Sequence, residues 1–176
     1  MIPKMVVVAG PPGSGKSSLY PLSSFGIAYF NADDRAAELS GGSYVGIPNE
    51  IRRVVNREFE AFILDSIERR VSFAIETTLH TDVTFEQARL ARQSGFLVEM
   101  RYLALRDFGL HLERVKARAD AGGHSASETM LRRIYEASLS NLRRAVQEMD
   151  TLWVYDHTAL DVSHPLVLEV TERFVS

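Results

Sequence analysis

Short apolar runs alternate with longer, more polar segments along this chain. The apolar runs suit strands buried on both faces and cover residues 5–9, 27–30, 72–75, 97–105 and 153–155. The segments between and after them predict helices over residues 16–24, 48–70, 82–94, 109–119, 125–149 and 165–175. Strands that alternate with helices predict an α/β fold of three layers, with a five-stranded, mainly parallel sheet and helices on both faces.

Several predicted helix boundaries carry recognisable signals. Pro48 suits the first turn of a helix, and Asp82 can cap the helix that Gly95 stops. Ser125 and Glu128 have the spacing of a capping box, which predicts that the long helix to about residue 149 opens there.

The predicted topology brings chemistry-bearing residues to one edge of the sheet. Right-handed crossovers put the carboxyl end of every parallel strand on the same edge, where open α/β sheets bind ligands. That edge carries residues 10–17, Asp33, residues 76–78 and Asp156.

Length and composition narrow the class of protein. The 176 residues fit one domain, residues 1–176, and 45% hydrophobic with 24% charged residues is ordinary globular composition. The absence of cysteine excludes disulfides, thiolate zinc sites and a cysteine nucleophile. No stretch approaches the roughly 18 apolar residues of a membrane span, so we expect a cytoplasmic protein without a membrane partner.

The first predicted strand runs into a phosphate-binding motif. The residues match G-x-x-x-x-G-K-[ST] between a strand and a helix, and they are Gly10, Pro11, Pro12, Gly13, Ser14, Gly15, Lys16 and Ser17. Backbone N–H groups of such a loop ring the β-phosphate of ATP, Lys16 reaches the β- and γ-oxygens, and Ser17 ligates Mg²⁺. The alternative is a glycine-rich turn with an accidental lysine, which the strand–loop–helix context disfavours.

Acidic residues follow the second and third predicted strands. Phosphoryl transfer needs a group that orients the acceptor hydroxyl and takes its proton, and Asp33 or Asp34 suits that role. Either aspartate could instead cap the short helix that follows. Glu76 lies where substrate must sit, or it holds Mg²⁺ through water, and Thr77 and Thr78 add hydroxyls beside it.

Arginines flank a glycine-rich break in the second half of the chain. Arg114, Arg118, Arg132 and Arg133 surround Gly122-Gly123-His124, which suggests a lid over roughly residues 109–135 that grips phosphate oxygens. The alternative for each arginine is a solvated helix face, for example an Arg132–Glu136 pair. Arg143 and Arg144 suit the surface, and His124 could be an ordinary loop residue.

Together these residues resemble the zeta-toxin family of P-loop kinases over most of the chain. The matching pieces are residues 9–18, Asn31-Ala32-Asp33, residues 73–79, Arg114-Val115-x-x-Arg118, Gly122-Gly123-His124 and Arg132-Arg133. The phosphate loop is common to many families, whereas the Glu-Thr-Thr-Leu block and the Gly-Gly-His segment with its arginines are more specific when found together.

The resemblance implies an ATP- and Mg²⁺-dependent kinase that phosphorylates the sugar of UDP-N-acetylglucosamine. It implies that Ser18 joins the ATP site, that Asp33 is the base, that Glu76, Thr78 and His124 contact the sugar nucleotide, and that Arg118 with Arg132 or Arg133 grips the γ-phosphate. An antitoxin protein is an implied partner.

Three alternatives to a sugar-nucleotide kinase stay open. The acceptor could be another sugar, an antibiotic or a nucleotide. The chain could be a nucleic-acid end kinase, which the net charge of -3 and the lack of interleaved surface aromatics disfavour. It could also be a nucleotide-binding switch, although no Asn-Lys-x-Asp guanine signature is present.

Overall fold

The strands of the computed structural model form one sheet. The structure describes residues 2–44, 46–120, 127–158 and 165–171, except for the side chains of residues 118–120. The strands are β1 (Lys4–Ala9), β2 (Ala28–Phe30), β3 (Phe73–Thr77), β4 (Leu97–Ala104), β5 (Thr151–Asp156) and β6 (Leu166–Thr171). Their spatial order is β2-β3-β1-β4-β5-β6, and every neighbouring pair is parallel except β5 and β6. The predicted α/β class with a mainly parallel sheet is confirmed.

The helices fill the connections between the strands. They are α1 (Lys16–Leu19), α2 (Ala32–Leu39), α3 (Asn49–Glu68), α4 (Val83–Gln93), α5 (Phe108–Asp120) and α6 (Glu128–Glu148), with a 3-10 turn at Leu22–Phe25. Within the described ranges, no helix combines the length and apolarity that crossing a bilayer requires.

The two faces of the sheet are packed unequally. The larger core takes Met5 and Val7 from β1 and packs them with apolar residues of α3, α4 and α6. The smaller core takes Val6 and Val8 and packs them mainly with Leu22 and partly buried residues of α1 and the 3-10 turn. β1 is therefore buried on both faces, as its run of apolar residues predicts.

The predicted helix over residues 165–175 is wrong where the chain is described. Residues 166–171 form β6, which pairs antiparallel with β5 and raises the strand count from five to six. The Trp153 indole N–H donates to Glu169 Oε1 at 3.0 Å across this pair. A short apolar segment does not distinguish strand from helix by periodicity, and the valines of β6 favour a strand.

The predicted helix over residues 16–24 is shorter than expected. α1 ends at Leu19, and Tyr20 leaves helical geometry with φ -132° and ψ 65°. Pro21 disfavours helical backbone at the residue before it and has no N–H of its own to donate. The chain resumes as the 3-10 turn rather than as a continued helix.

The helix α6 begins later than the predicted capping box. Its N-cap is Ser127, whose hydroxyl accepts a hydrogen bond from the Met130 N–H at 3.3 Å. Ser125 lies outside the described residues. In the usual capping geometry, the side-chain acceptor lies three residues before the N–H that donates to it, and Ser125 and Ser127 both have this spacing to a helical residue.

We expect removal of the Tyr102 hydroxyl to destabilise the fold. Tyr102 is fully buried in β4, and its hydroxyl lies 2.8 Å from Ser138 Oγ on α6. Tyr102→Phe leaves the Ser138 hydroxyl buried without a partner, which should cost about 1–3 kcal/mol of unfolding free energy in urea denaturation. Exposed Tyr29→Phe is the control and should change stability by less than about 0.5 kcal/mol. Equal stabilities for the two variants would contradict this account.

Candidate functional site

The turn between β1 and α1 requires glycine. Gly10, Gly13 and Gly15 have φ of 145°, 75° and 88°, a backbone region that other residues rarely occupy. Space is restricted as well, because a Cβ on Gly10 would lie 2.5 Å from the Leu103 carbonyl oxygen. Residues 10–17, here called the phosphate loop, therefore owe their glycine spacing to the geometry of the turn.

The Lys16 ammonium is buried inside the phosphate loop. Its side chain is 7% exposed, and Nζ donates hydrogen bonds to the carbonyl oxygens of Gly10 at 2.9 Å and Pro11 at 3.2 Å. Glu76 Oε1 lies 3.8 Å from Nζ, near the outer limit of an ion pair. Because a buried charge is costly without partners, these oxygens hold the amine at the loop.

Glu76 connects β3 to the phosphate loop. The parallel register pairs Val8 of β1 with Glu76, which brings the carboxylate beside the start of α1. Ser17 Oγ donates to Glu76 Oε2 at 3.2 Å. In the part of the chain that the structure describes, no group of three or more His, Asp or Glu side chains could hold a metal. The hydroxyl and carboxylate still fit Mg²⁺, whose remaining ligands in such sites are phosphate oxygens and water.

Asp33 lies exposed at the end of β2, in the first turn of α2. The predicted alternative, that Asp33 or Asp34 caps this helix, is wrong. Asn31 is the cap, and its Oδ1 accepts from the N–H groups of Asp33 at 3.0 Å and Asp34 at 3.2 Å. The Asp34 carboxylate accepts instead from the Tyr44 hydroxyl at 3.0 Å.

The segment after β3 contains a strained residue. Leu79 is fully buried, yet its φ is 57° in the left-handed region. The Leu79 N–H donates to Thr77 Oγ1 at 3.0 Å, and the Leu79 carbonyl accepts from Asn141 of α6 at 3.0 Å. Thr78 Oγ1 lies 2.5 Å from His80 Nδ1. Strained backbone held by surrounding contacts occurs often at functional sites, and here it shapes the end of the Glu-Thr-Thr-Leu block.

The helix α5 lies under the phosphate loop and presents a buried histidine. His111 is fully buried, its ring is 5.4 Å from those of Phe108 and Tyr135, and neither ring nitrogen has a hydrogen-bond partner among the described residues. Burial lowers the pKa of His111, and the Lys16 ammonium lowers it further. The Pro12 carbonyl opposes this shift without forming a hydrogen bond of normal geometry. His111 is therefore held as a neutral ring beneath the loop.

His157, which the sequence did not indicate, and Arg114, which was expected on the lid, meet beside the phosphate loop. His157 follows β5, and its Nδ1 lies 2.6 Å from the Ser14 carbonyl oxygen. Arg114 of α5, expected on the lid, donates instead to the carbonyl oxygens of His157 at 2.7 Å and Thr158 at 3.0 Å. The only signal for His157 was its place directly after Asp156 at the predicted ligand edge.

Asp156 stabilises the loop that carries His157. Its Oδ1 accepts from the Thr158 N–H at 2.9 Å, and its Oδ2 pairs with Arg106 Nε at 2.6 Å. Burial raises the pKa of Asp156, but the hydrogen bonds from Thr158 and the Arg106 charge outweigh burial and hold the pKa below its ordinary value. Asp156 is thus an ionised residue that orders the segment after β5.

Solved structures share this fold. One is a chain from the PezAT chromosomal toxin-antitoxin system of Streptococcus pneumoniae, with a TM-score of 0.72, 16% identity, and coverage of 96% of this chain and 72% of that one. Another is the complex of AvrRxo1-ORF1 with AvrRxo1-ORF2 and ATP, with a TM-score of 0.74, 16% identity, and coverage of 97% and 59%. A shikimate kinase from Acinetobacter baumannii gives a TM-score of 0.52 at 15% identity, over 93% and 86%.

The chain has the fold of the P-loop kinases. This confirms the resemblance to the zeta-toxin family at the level of fold. An uncharacterized protein of Haemophilus influenzae is 24% identical over 133 residues, which cover 75% of this chain and 92% of that protein. No family model matches the chain.

The lid expected on this P-loop kinase fold is described only in part. His124 lies outside the described residues, as do Gly122 and Gly123, and Arg118 belongs to α5 with its side chain undescribed. Arg132 stacks 4.0 Å from the centre of the Phe108 ring and lies 3.7 Å from Glu128, so the expected pair with Glu136 is wrong. Arg133 is exposed. The phosphate-gripping role of these arginines stays a prediction.

The Arg143-Arg144 pair divides into one surface and one structural residue. Arg143 is exposed, as expected. Arg144 bonds Asp82 at 2.6 Å, pairs with Glu148 and lies 4.1 Å from the centre of the Phe85 ring, so its side chain joins α6 to α4. The expectation that Arg144 is only a surface residue is therefore wrong.

We expect His111 to make the fold sensitive to mild acid. Its folded pKa lies below the ordinary 6.5, so the unfolded chain takes up the proton more readily. The neutral His111 ring makes its full contribution to the free energy of unfolding above about pH 6.5. This contribution falls as the pH is lowered, by up to about 1.4 kcal/mol at pH 5.5. His111→Phe keeps a ring against Phe108 and Tyr135 and should reduce the loss of unfolding free energy between pH 7.5 and 5.5. Exposed His80→Gln is the control, and a loss unchanged by His111→Phe would contradict the assignment.

Proposed function

We propose that this chain is an ATP-dependent kinase that transfers the γ-phosphate to a hydroxyl of a small acceptor. The observation that carries the proposal is the phosphate loop with the Lys16 ammonium buried in it and the Ser17–Glu76 pair at its end. The fold, shared with shikimate kinase and with a gluconokinase from Sinorhizobium meliloti, supports the same reaction class.

The phosphate loop supplies the charge that phosphoryl transfer requires. Loop amides and Lys16 would bind the β- and γ-phosphates, and Ser18 lies on α1 directly after Ser17. Bound Mg²⁺ supplies neutralisation of the phosphate charge, and Ser17 is the residue that would hold it. Glu76 contacts Ser17 and approaches Lys16, which favours its role on the metal side over direct contact with the acceptor.

Asp33 is the proposed base for the acceptor hydroxyl. Asn31 caps α2 in its place, so the carboxylate is not committed to a capping bond. The Asp33 side chain is exposed and lies at the same sheet edge as Glu76 and Thr78. An exposed carboxylate at this edge can approach an acceptor hydroxyl and accept its proton as the phosphorus–oxygen bond forms.

UDP-N-acetylglucosamine is the first acceptor we propose, on the strength of the zeta-toxin resemblance. The fold similarity to a PezAT chain also supports an antitoxin-like protein partner as a proposal. A second candidate is another small hydroxyl compound, because the shikimate kinase and gluconokinase structures cover 93% and 90% of this chain. A chain of the Pnkp1/Rnl/Hen1 RNA repair complex has a TM-score of 0.63 over 46% of its own length, so a 5′-hydroxyl oligonucleotide belongs in the acceptor panel.

Labelled ATP with Mg²⁺ and this panel should give a phosphorylated acceptor that mass spectrometry identifies. Lys16→Ala should nearly abolish transfer, because the γ-phosphate loses its nearest cation. Lys4→Ala is the matched control, because Lys4 is an exposed lysine at the opposite end of β1 from the phosphate loop. Label found only in free phosphate across the panel would favour a nucleotide switch, and wild-type turnover by Lys16→Ala would overturn the proposal.

We expect Asp33→Asn to retain ATP binding and to slow phosphoryl transfer by about 100-fold or more, since a general base contributes that much. Steady-state kinetics with the acceptor identified above measures the effect, and a titration with ATP measures binding. Asp34→Asn is the neighbouring control, because its carboxylate bonds Tyr44 and is not assigned to the reaction. An unchanged rate in Asp33→Asn would remove Asp33 from the mechanism.

A further inference from the structure

The ring of His157 contacts two consecutive residues of the phosphate loop, Ser14 and Gly15. Its Nδ1 lies 2.6 Å from the carbonyl oxygen of Ser14. A Cβ on Gly15 would lie 2.3 Å from the Cε1 and Nδ1 atoms of the same ring. Because a carbonyl oxygen only accepts, Nδ1 must carry a proton and donate it to Ser14. The glycine at position 15 is therefore needed for the ring to approach as well as for the loop's backbone.

This donor determines the direction of the Gly15 N–H. Ser14 and Gly15 share a planar trans peptide, in which the carbonyl and the N–H point in opposite directions. The Ser14 carbonyl is held toward His157, so the Gly15 N–H points away from His157. If the peptide rotated, the N–H and the Nδ1 proton would face one another as two donors.

Several hydrogen bonds hold His157 in the position from which it donates to the Ser14 carbonyl. Its own N–H donates to the Ala104 carbonyl at 2.9 Å, and its carbonyl accepts from Arg114 at 2.7 Å. Arg114 also bonds the Thr158 carbonyl, and Thr158 Oγ1 accepts from the Arg106 N–H at 3.2 Å. The segment after β5 is thus tied to β4 and to α5, and the ring has little freedom to leave the loop.

We propose that His157 is a positioning residue for nucleotide binding. Its Nδ1–H holds the Ser14–Gly15 peptide in the orientation that presents the Gly15 N–H to the β-phosphate. The inference rests on the proposed function, because it requires that the loop bind a nucleotide phosphate. In this role His157 acts through the loop backbone, by its hydrogen bond to the Ser14 carbonyl.

Two substitutions separate the hydrogen bond from the packing of the ring. His157→Phe keeps a ring against Gly15 and removes the donor. His157→Asn removes the ring, but its side-chain amide can place an N–H close to the position of Nδ1. We expect Mg·ADP affinity, measured by isothermal titration calorimetry, to fall about tenfold or more in His157→Phe, because the hydrogen bond that holds the Ser14–Gly15 peptide is lost. His157→Asn should stay within about threefold of the wild type.

Thermal melting shows whether the role is only structural. A structural role predicts that affinity follows melting temperature, so that His157→Asn, which loses more packing, binds worse than His157→Phe. A positioning role predicts the reverse order for affinity. Equal ADP affinities in wild type and His157→Phe would overturn the inference and leave the kinase proposal standing. Wild-type protein that does not bind Mg·ADP would overturn both.

A measurement on the wild type does not depend on either variant folding. Two-bond ¹H–¹⁵N spectra of the imidazoles, with His157 assigned by its absence in His157→Asn or by backbone-linked spectra of the wild type, report which ring nitrogen carries the proton. We expect a protonated Nδ1 above pH 7.5, the less common form of a free neutral histidine. A neutral ring protonated only at Nε2 would overturn the inference.

Discussion

The site depends on the interactions that hold the buried ammonium of Lys16. A charge removed from water must be matched by oxygen atoms, and two carbonyls of its own loop together with Glu76 provide them. Glu76 can contribute only because β3 lies beside β1 and the register opposes Val8 to Glu76. A one-residue slip would turn Glu76 to the other face of the sheet and leave the amine without its carboxylate. Sheet order and register are thus part of the site.

The helices that flank the undescribed segment support opposite sides of the ligand edge. α5 places His111 beneath the phosphate loop and joins the segment after β5 through Arg114. α6 holds the segment after β3 through the bond from Asn141 to the strained Leu79. Movement of either helix relative to the sheet would therefore change the phosphate loop or the segment after β3. The fold couples regions that are distant in sequence through a small number of side chains.

Each difference between prediction and structure has an identifiable physical cause. Residues 166–171 form a strand because they can pair with the edge of β5 that β4 leaves unpaired. The hydrophobic pattern of the segment itself does not show this partner. Asn31 rather than Asp33 caps α2, since both residue types make good caps and only the start of the helix distinguishes them. Arg114 turns to backbone carbonyls instead of a phosphate position because the segment after β5 passes beside α5. For β6 and Arg114 the deciding partner lies on another element, whereas the cap of α2 is decided by N–H groups of the same helix.

The sequence alone determined the phosphate loop, the alternation of strands and helices, and the acids near the carboxyl ends of β2 and β3. These features depend on contiguous residues: glycine permits positive φ, and a strand followed by a helix places Lys16 and Ser17 together. Tertiary structure alone decided the contacts of Glu76 with the loop, the burial of His111 and the approach of His157. His157 and Ser14 are 143 positions apart, and only the pairing of β1, β4 and β5 in one sheet brings them within a hydrogen bond.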